Sequence, residues 1–211
     1  CSSDLPANAR RLTDELANLR GAAMKLGQIL SMDTGEVLPR ELTDILARLR
    51  ADGVEMPPEQ LNQTMTAAYG EEWEGLFYGF DHRPLAAASI GQVHRAYSPD
   101  GREIALKIQY PGVTGSIDSD VDNIAALLKL SGLLPSDFDL DPLLDAAREQ
   151  LHAEADYLAE AQHLADFNQW LAEDDRFLVP DVFPELSRST VLVMSYVECL
   201  PIEQAVSLPQ D

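Results

Sequence analysis

Apolar positions along the chain change period several times, and each change marks an element. Between residues 8 and 32, Leu12, Leu16, Leu19, Ala23, Leu26 and Leu30 recur every three or four positions, which predicts one buried face of an α-helix. Pro39 opens a second helical stretch over residues 40–50, with Leu42, Ile45, Leu46 and Leu49 inward. Pro57-Pro58 precede a third, over 59–69, which Gly70 stops. From Pro84 the period falls to two. Ile104, Leu106 and Ile108 alternate with Ala105, Lys107 and Gln109, the pattern of a strand with one buried face. Helical spacing returns over 116–134 (Val121, Ile124, Leu127, Leu128). It then runs from Asp141-Pro142 through Leu144, Ala147, Leu151, Leu158 and Ala161 to about Trp170, read as one long helix. Val179-Pro180 and residues 189–197 are short and β-branched, and read as strands.

The segment from Pro84 to Gln109 carries the most chemistry. Ala86, Ala87, Ala88 and Ser89 form a run of small residues, followed by a strand, the turn dipeptide Asp100-Gly101, and the strand that bears Lys107. A small-residue loop lets backbone N–H groups approach phosphates, and a lysine on the neighbouring strand reaches the same phosphates. Ala105 beside Lys107 leaves room for a flat ring. A solvated lysine on an ordinary hairpin is the plainer alternative. Against it, only three lysines (Lys25, Lys107, Lys129) occur among the 15 basic residues, so lysine is not the default surface cation here.

Composition narrows the partners. The chain has 211 residues, 45% hydrophobic and 24% charged, and a formal charge of −21. That charge argues against nucleic acid, whose phosphates need clustered cations, and against unaided adsorption to anionic lipid. Cys1 and Cys199 are the two cysteines, which suits a reducing compartment. No apolar run approaches the ~20 residues of a membrane-spanning helix. His82, His94, His152 and His163 lack metal-ligand spacing, so no metal site is expected from these residues.

Two further groups stand out. Glu149, Glu154, Asp156 and Glu160 line the expected long helix. At a spacing of four, Asp156 and Glu160 would share a face, where like charges repel unless a cation lies between them; a solvated acidic face is the alternative. Gly21, Lys25, Gln28 and Met32 share a face of the first helix apart from its leucines. A glycine inside a helix costs ~1 kcal/mol relative to alanine, so Gly21 and Gly27 imply close approach to another backbone.

Taken in order, these residues resemble the UbiB family of atypical protein-kinase-like proteins (AarF and ADCK proteins), in the branch tied to coenzyme Q biosynthesis. The resemblance rests on Lys25-Leu-Gly-Gln28, the alanine loop with Ser89-Ile-Gly-Gln-Val-His94, Ile104-Ala-Leu-Lys107 followed by Gln109-Tyr-Pro-Gly-Val113, and Glu154-Ala-Asp156 with Glu160. It covers nearly all of the chain from about Arg20 to Leu208. It implies an α+β fold: a protein-kinase-like N-lobe over 83–199, preceded by a helical extension over 1–82 and followed over 200–211 by the exit from the hinge.

The resemblance also implies roles. Lys107 would hold the phosphates of ATP, and Glu160 would orient Lys107. Ala86, Ala87, Ala88 and Ser89 would cover the nucleotide, with alanines where a protein kinase has glycines. Val93, Ala105, Met194 (in the gatekeeper place), Ser195 and Val197 would line the base. Lys25, Gln28, Glu154 and Asp156 would form a family site in which Lys25 pairs with Glu154. ATP is the implied ligand. Mg²⁺ would be held elsewhere, because Asp137-Phe138-Asp139 lacks the glycine of the metal-binding motif and precedes the helix. Ubiquinone-pathway proteins or lipid-like precursors are the implied partners. The implied location is cytoplasmic or peripheral at the inner membrane in a bacterium, and mitochondrial in a eukaryote.

No catalytic-loop aspartate follows Val197, and the chain opens on Cys1. The sequence therefore reads as the N-terminal piece of a longer protein, whose phosphoryl transfer this piece alone would not perform. A lipoprotein-like start at Cys1 is the weaker alternative. Two rivals from other classes are a non-catalytic pseudokinase scaffold and an acidic helical interaction module.

Overall fold

In the computed structural model, the residues described are 25, 28, 55–131 and 139–199. The expected helix over 40–50, most of that over 8–32, and the segment 200–211 lie outside them. A four-stranded antiparallel sheet, in the order β1-β2-β3-β4, organises the rest. The strands are β1 (Ala86–Ala87), β2 (Gly91–Tyr97), β3 (Glu103–Gln109) and β4 (Val191–Ser195). The helices are α1 (Pro58–Tyr69) before the sheet, then α2 (Val113–Ser131), α3 (Asp141–Ala155) and α4 (Tyr157–Trp170) between β3 and β4. This is the α+β arrangement expected of a kinase-like N-lobe.

The period-two pattern of β3 turns its large apolar side chains into one core. Ile104, Leu106 and Ile108 join Val191 and Val193 of β4, and pack with Leu61 and Met65 of α1 and with Trp73 and Phe77. On the opposite face, Leu192 meets a second core built from α2 (Ile117, Val121, Ile124, Leu128) and α3 (Leu144, Ala147, Leu151). The sheet is thus covered on both sides. The β2–β3 turn is pinned by Gly101, whose φ of +83° is left-handed, with Ser98 accepting its N–H at 2.9 Å.

Three expectations need correction. Residues 141–170 form two helices, not one. Asp156 leaves the helical region (φ −90°, ψ 84°), and its carboxylate accepts the N–H of Ala159 at 3.0 Å, capping α4. The break shifts the helical phase by one residue, so Tyr157 is fully buried while Leu158, expected inside, is 53% exposed. Val179-Pro180 is not a strand. Pro180 has no N–H to donate, and pairing with β4 begins beyond it, as an isolated bridge between Val182 and Met194. The alanine run is not wholly a loop either. Ala86 and Ala87 pair with Val93 and Gln92, and the turn beyond them tucks Ile90 completely into the second core.

Candidate nucleotide site

Cross-strand partners in an antiparallel sheet share a face, so the register alone assembles the site. Ala86 lies opposite Val93, Val93 opposite Lys107, and Lys107 opposite Leu192. In the neighbouring row, Arg95 faces Ala105 and Ala105 faces Met194. One face of the sheet therefore presents a lysine, small or apolar neighbours, and the alanine segment at its edge. Ser195 and Val197 follow at the end of β4 and just beyond, both partly buried. Ser195 is engaged away from this face: its Oγ accepts the N–H of Asp181 at 2.9 Å.

Above this face sit α3 and α4. Glu160, in the first turn of α4, accepts two hydrogen bonds from Lys107 Nζ, each 2.7 Å. The lysine is largely shielded, with 17% of its side chain exposed. A charge-assisted bidentate contact of this kind fixes the ammonium instead of leaving it to sample solvent. Tyr157 completes the seat, with Nζ 4.8 Å from its ring centroid. Its hydroxyl is buried without a hydrogen-bond partner among the described residues. Burial, with Glu160 and Glu154 adding to it, pushes the phenol well above the ordinary tyrosine range. Sequence reasoning passed over Tyr157. Its signal was Asp156, a good N-cap residue one position before it.

A second acidic contact lies at the end of α3. Glu154 binds Lys25 through one carboxylate oxygen and accepts the Ser89 hydroxyl with the other. Lys25 and Gln28 are both helical and partly buried, a turn apart. The two-lysine, two-glutamate arrangement thus links the alanine segment, β3 and the Lys25 helix. Asp156 stands apart from it. It is exposed and caps α4, so the i, i+4 pairing with Glu160 on one helix does not exist. Ala86 and Ala87 are exposed, and Ala88 is partly buried.

Among the described residues, no group of three or more His, Cys, Asp or Glu could hold a metal ion, and no helix is long and apolar enough to cross a membrane. What the geometry supplies is a fixed cation under a small-residue edge, beside an apolar shelf. That suits an anionic ligand with a flat apolar part.

Residues 48–210 match the model of the ABC1 atypical kinase-like domain. The chain is 42% identical to the Caenorhabditis elegans mitochondrial atypical kinase coq-8, over 97% of this chain and 27% of that protein. It is 43% identical to the mitochondrial atypical kinase COQ8 of Saccharomyces cerevisiae, over 97% of this chain and 41% of that protein. It thus spans well under half the length of these relatives. A solved structure of Rv3197 from Mycobacterium tuberculosis, in complex with erythromycin, matches with a TM-score of 0.57 at 30% identity, covering 94% of this chain and 50% of that one. With the lysine strand, the alanine segment and the paired glutamates in place, this chain belongs to the ABC1 atypical kinase-like family, alongside the COQ8 atypical kinases.

Proposed function

We propose that this chain forms the upper half of an ATP site in an atypical kinase or ATPase of the UbiB type, whose complete protein supports ubiquinone biosynthesis. The observation that carries this reading is the bidentate Lys107–Glu160 pair on the face shared with Ala86, Val93, Ala105 and Met194. Lys107 neutralises phosphate charge, and Glu160 holds it in position. Ala86, Ala87, Ala88 and Ser89 cover the phosphates. Val93, Ala105 and Met194 flank the base, while Ser195 and Val197 lie where backbone groups meet its edge. Lys25 and Glu154, with Gln28 beside them, form the family site, while Asp156 serves it indirectly as the cap of α4.

Mg²⁺, which bridges nucleotide phosphates in phosphoryl transfer, would be bound by carboxylates outside the described residues. The names of the relatives place them in mitochondria, and a mitochondrial or membrane-peripheral location is the matching proposal for this protein. The deciding experiment uses the full-length protein. Lys107→Ala should abolish ATP hydrolysis and weaken nucleotide binding by about a hundredfold, the worth of a buried charge-assisted contact. Unchanged turnover in that variant would overturn the assignment.

A further inference from the structure

Away from the lysine, a cavity of about 330 Å³ opens between α1 and the turn that joins β3 to α2. Thr64 and Ala67 of α1 form one side, and Tyr110, Pro111 and Val113 the other, with Gln109 at the back. Its volume falls at the lower end of the range for small-molecule sites. No lining residue carries a charge, in a chain where 24% of residues do. That disfavours nucleotides, phosphates and charged peptides, since nothing would replace their hydration. Thr64 is 6% exposed, and its hydroxyl is buried without a partner among the described residues. Such an orphan donor is satisfied by an acceptor brought from outside. The N-terminal end of α2 begins at Val113 and has no acidic residue in its first turn, so its partial positive charge also favours an acceptor oxygen.

The back wall connects this cavity to the candidate nucleotide site. Gln109 is 3% exposed, and its Nε2 donates to the carbonyl of Ala155 at 2.7 Å. Its Oε1 accepts the Thr114 hydroxyl at 3.4 Å. Ala155 is the last residue of α3, next to the Asp156 break and five positions before Glu160. We infer that the cavity binds a small uncharged molecule with an apolar body and one carbonyl or hydroxyl oxygen. Its occupancy, passed through Gln109, braces the α3–α4 corner that aims Glu160 at Lys107. The binding step stands by itself; the link to nucleotide rests on the function proposed above.

Menthone, a cyclic ketone without charge, is a suitable probe, with cyclohexanecarboxylate as its charged counterpart. Saturation-transfer NMR on the full-length protein should detect menthone and not the carboxylate. Ala67→Trp, which fills the cavity from its exposed rim, should abolish menthone binding. Thr64→Val keeps shape and removes the orphan hydroxyl, so the fold should be retained while menthone binds about fivefold more weakly, the worth of one hydrogen bond. Saturating menthone should tighten the binding of a non-hydrolysable ATP analogue by about fivefold, and not in Ala67→Trp. Absence of menthone binding, equal binding of the carboxylate, or full binding in Ala67→Trp would overturn the site. Menthone binding with unchanged affinity for a nucleotide that does bind would overturn the coupling. Failure of the analogue to bind at all would instead count against the nucleotide reading.

Discussion

At Gly91 the backbone of β2 runs so close to β3 that a Cβ built there would lie 2.2 Å from the carbonyl oxygen of Ile108 and 3.1 Å from Gln109 Cα. Both neighbours are backbone in the middle of the sheet and have nowhere to move. Gly91→Ala should therefore lower stability by about 3 kcal/mol, the upper range for overpacking. Gly75→Ala, with open space around it, should leave the urea midpoint nearly unchanged; equal midpoints for the two variants would contradict the packing argument. His94 illustrates a different constraint. Its Nδ1–H donates to the Asp81 carbonyl at 2.8 Å, so Nε2 must accept from the Gln92 amide at 2.7 Å. Gln92 in turn accepts the Met56 N–H at 2.9 Å. The ring is fully buried and stacked on Phe80. Burial, opposed by the bond to the Asp81 carbonyl, holds its pKa below the ordinary 6.5. The unfolded chain then binds a proton that the folded one refuses, so His94 contributes full stability above its unfolded pKa and loses it as pH falls towards the folded one. Between about pH 7.5 and pH 5.5, wild type should lose more of its urea midpoint than His94→Gln. Equal losses would show that another group sets the slope.

At the scale of elements, the break at Asp156 is the feature that positions the site. An unbroken helix would have turned Leu158 inward and carried Glu160 about a hundred degrees away from its observed phase. Asp156→Ala should cost about 1 kcal/mol through loss of the cap, whereas Asp156→Asn should recover most of it, since asparagine caps nearly as well. Thermal denaturation of the two variants checks this. Nucleotide affinity in the same pair separates capping from charge: recovery in the asparagine variant assigns the residue to positioning. Much of the hairpin was legible because Asp100-Gly101 pins its register and the period of two assigns its faces. Lys107, Glu160 and the Lys25–Glu154 pair were legible only through motif order, since the ion pairs span 53 and 129 residues and no local period encodes them. The break was hidden because Glu154-Ala-Asp-Tyr157 contains neither Gly nor Pro. The pairing of Val182 was hidden for a related reason, as a single bridge leaves no alternating pattern to read.

Across the whole molecule, excess negative charge is set against local cations held in fixed places. The formal charge of −21 would repel a polyanion at long range, yet each described lysine sits in an ion pair: Lys25 with Glu154, Lys107 with Glu160, Lys129 with Asp141. The last of these is exposed and contributes little. The first two are shielded from water on their lysine side and connect separate parts of the fold. Their carboxylates lie six positions apart in sequence, but the break at Asp156 puts them on different helices. Glu154 rides on α3 with the Lys25 helix and the Ser89 turn; Glu160 rides on α4 with the sheet lysine. A continuous helix would tie the two contacts to a single motion. As built, the seat of Lys107 and the clasp on Lys25 belong to two separate helices, so a change at one contact is not carried to the other by a shared helix.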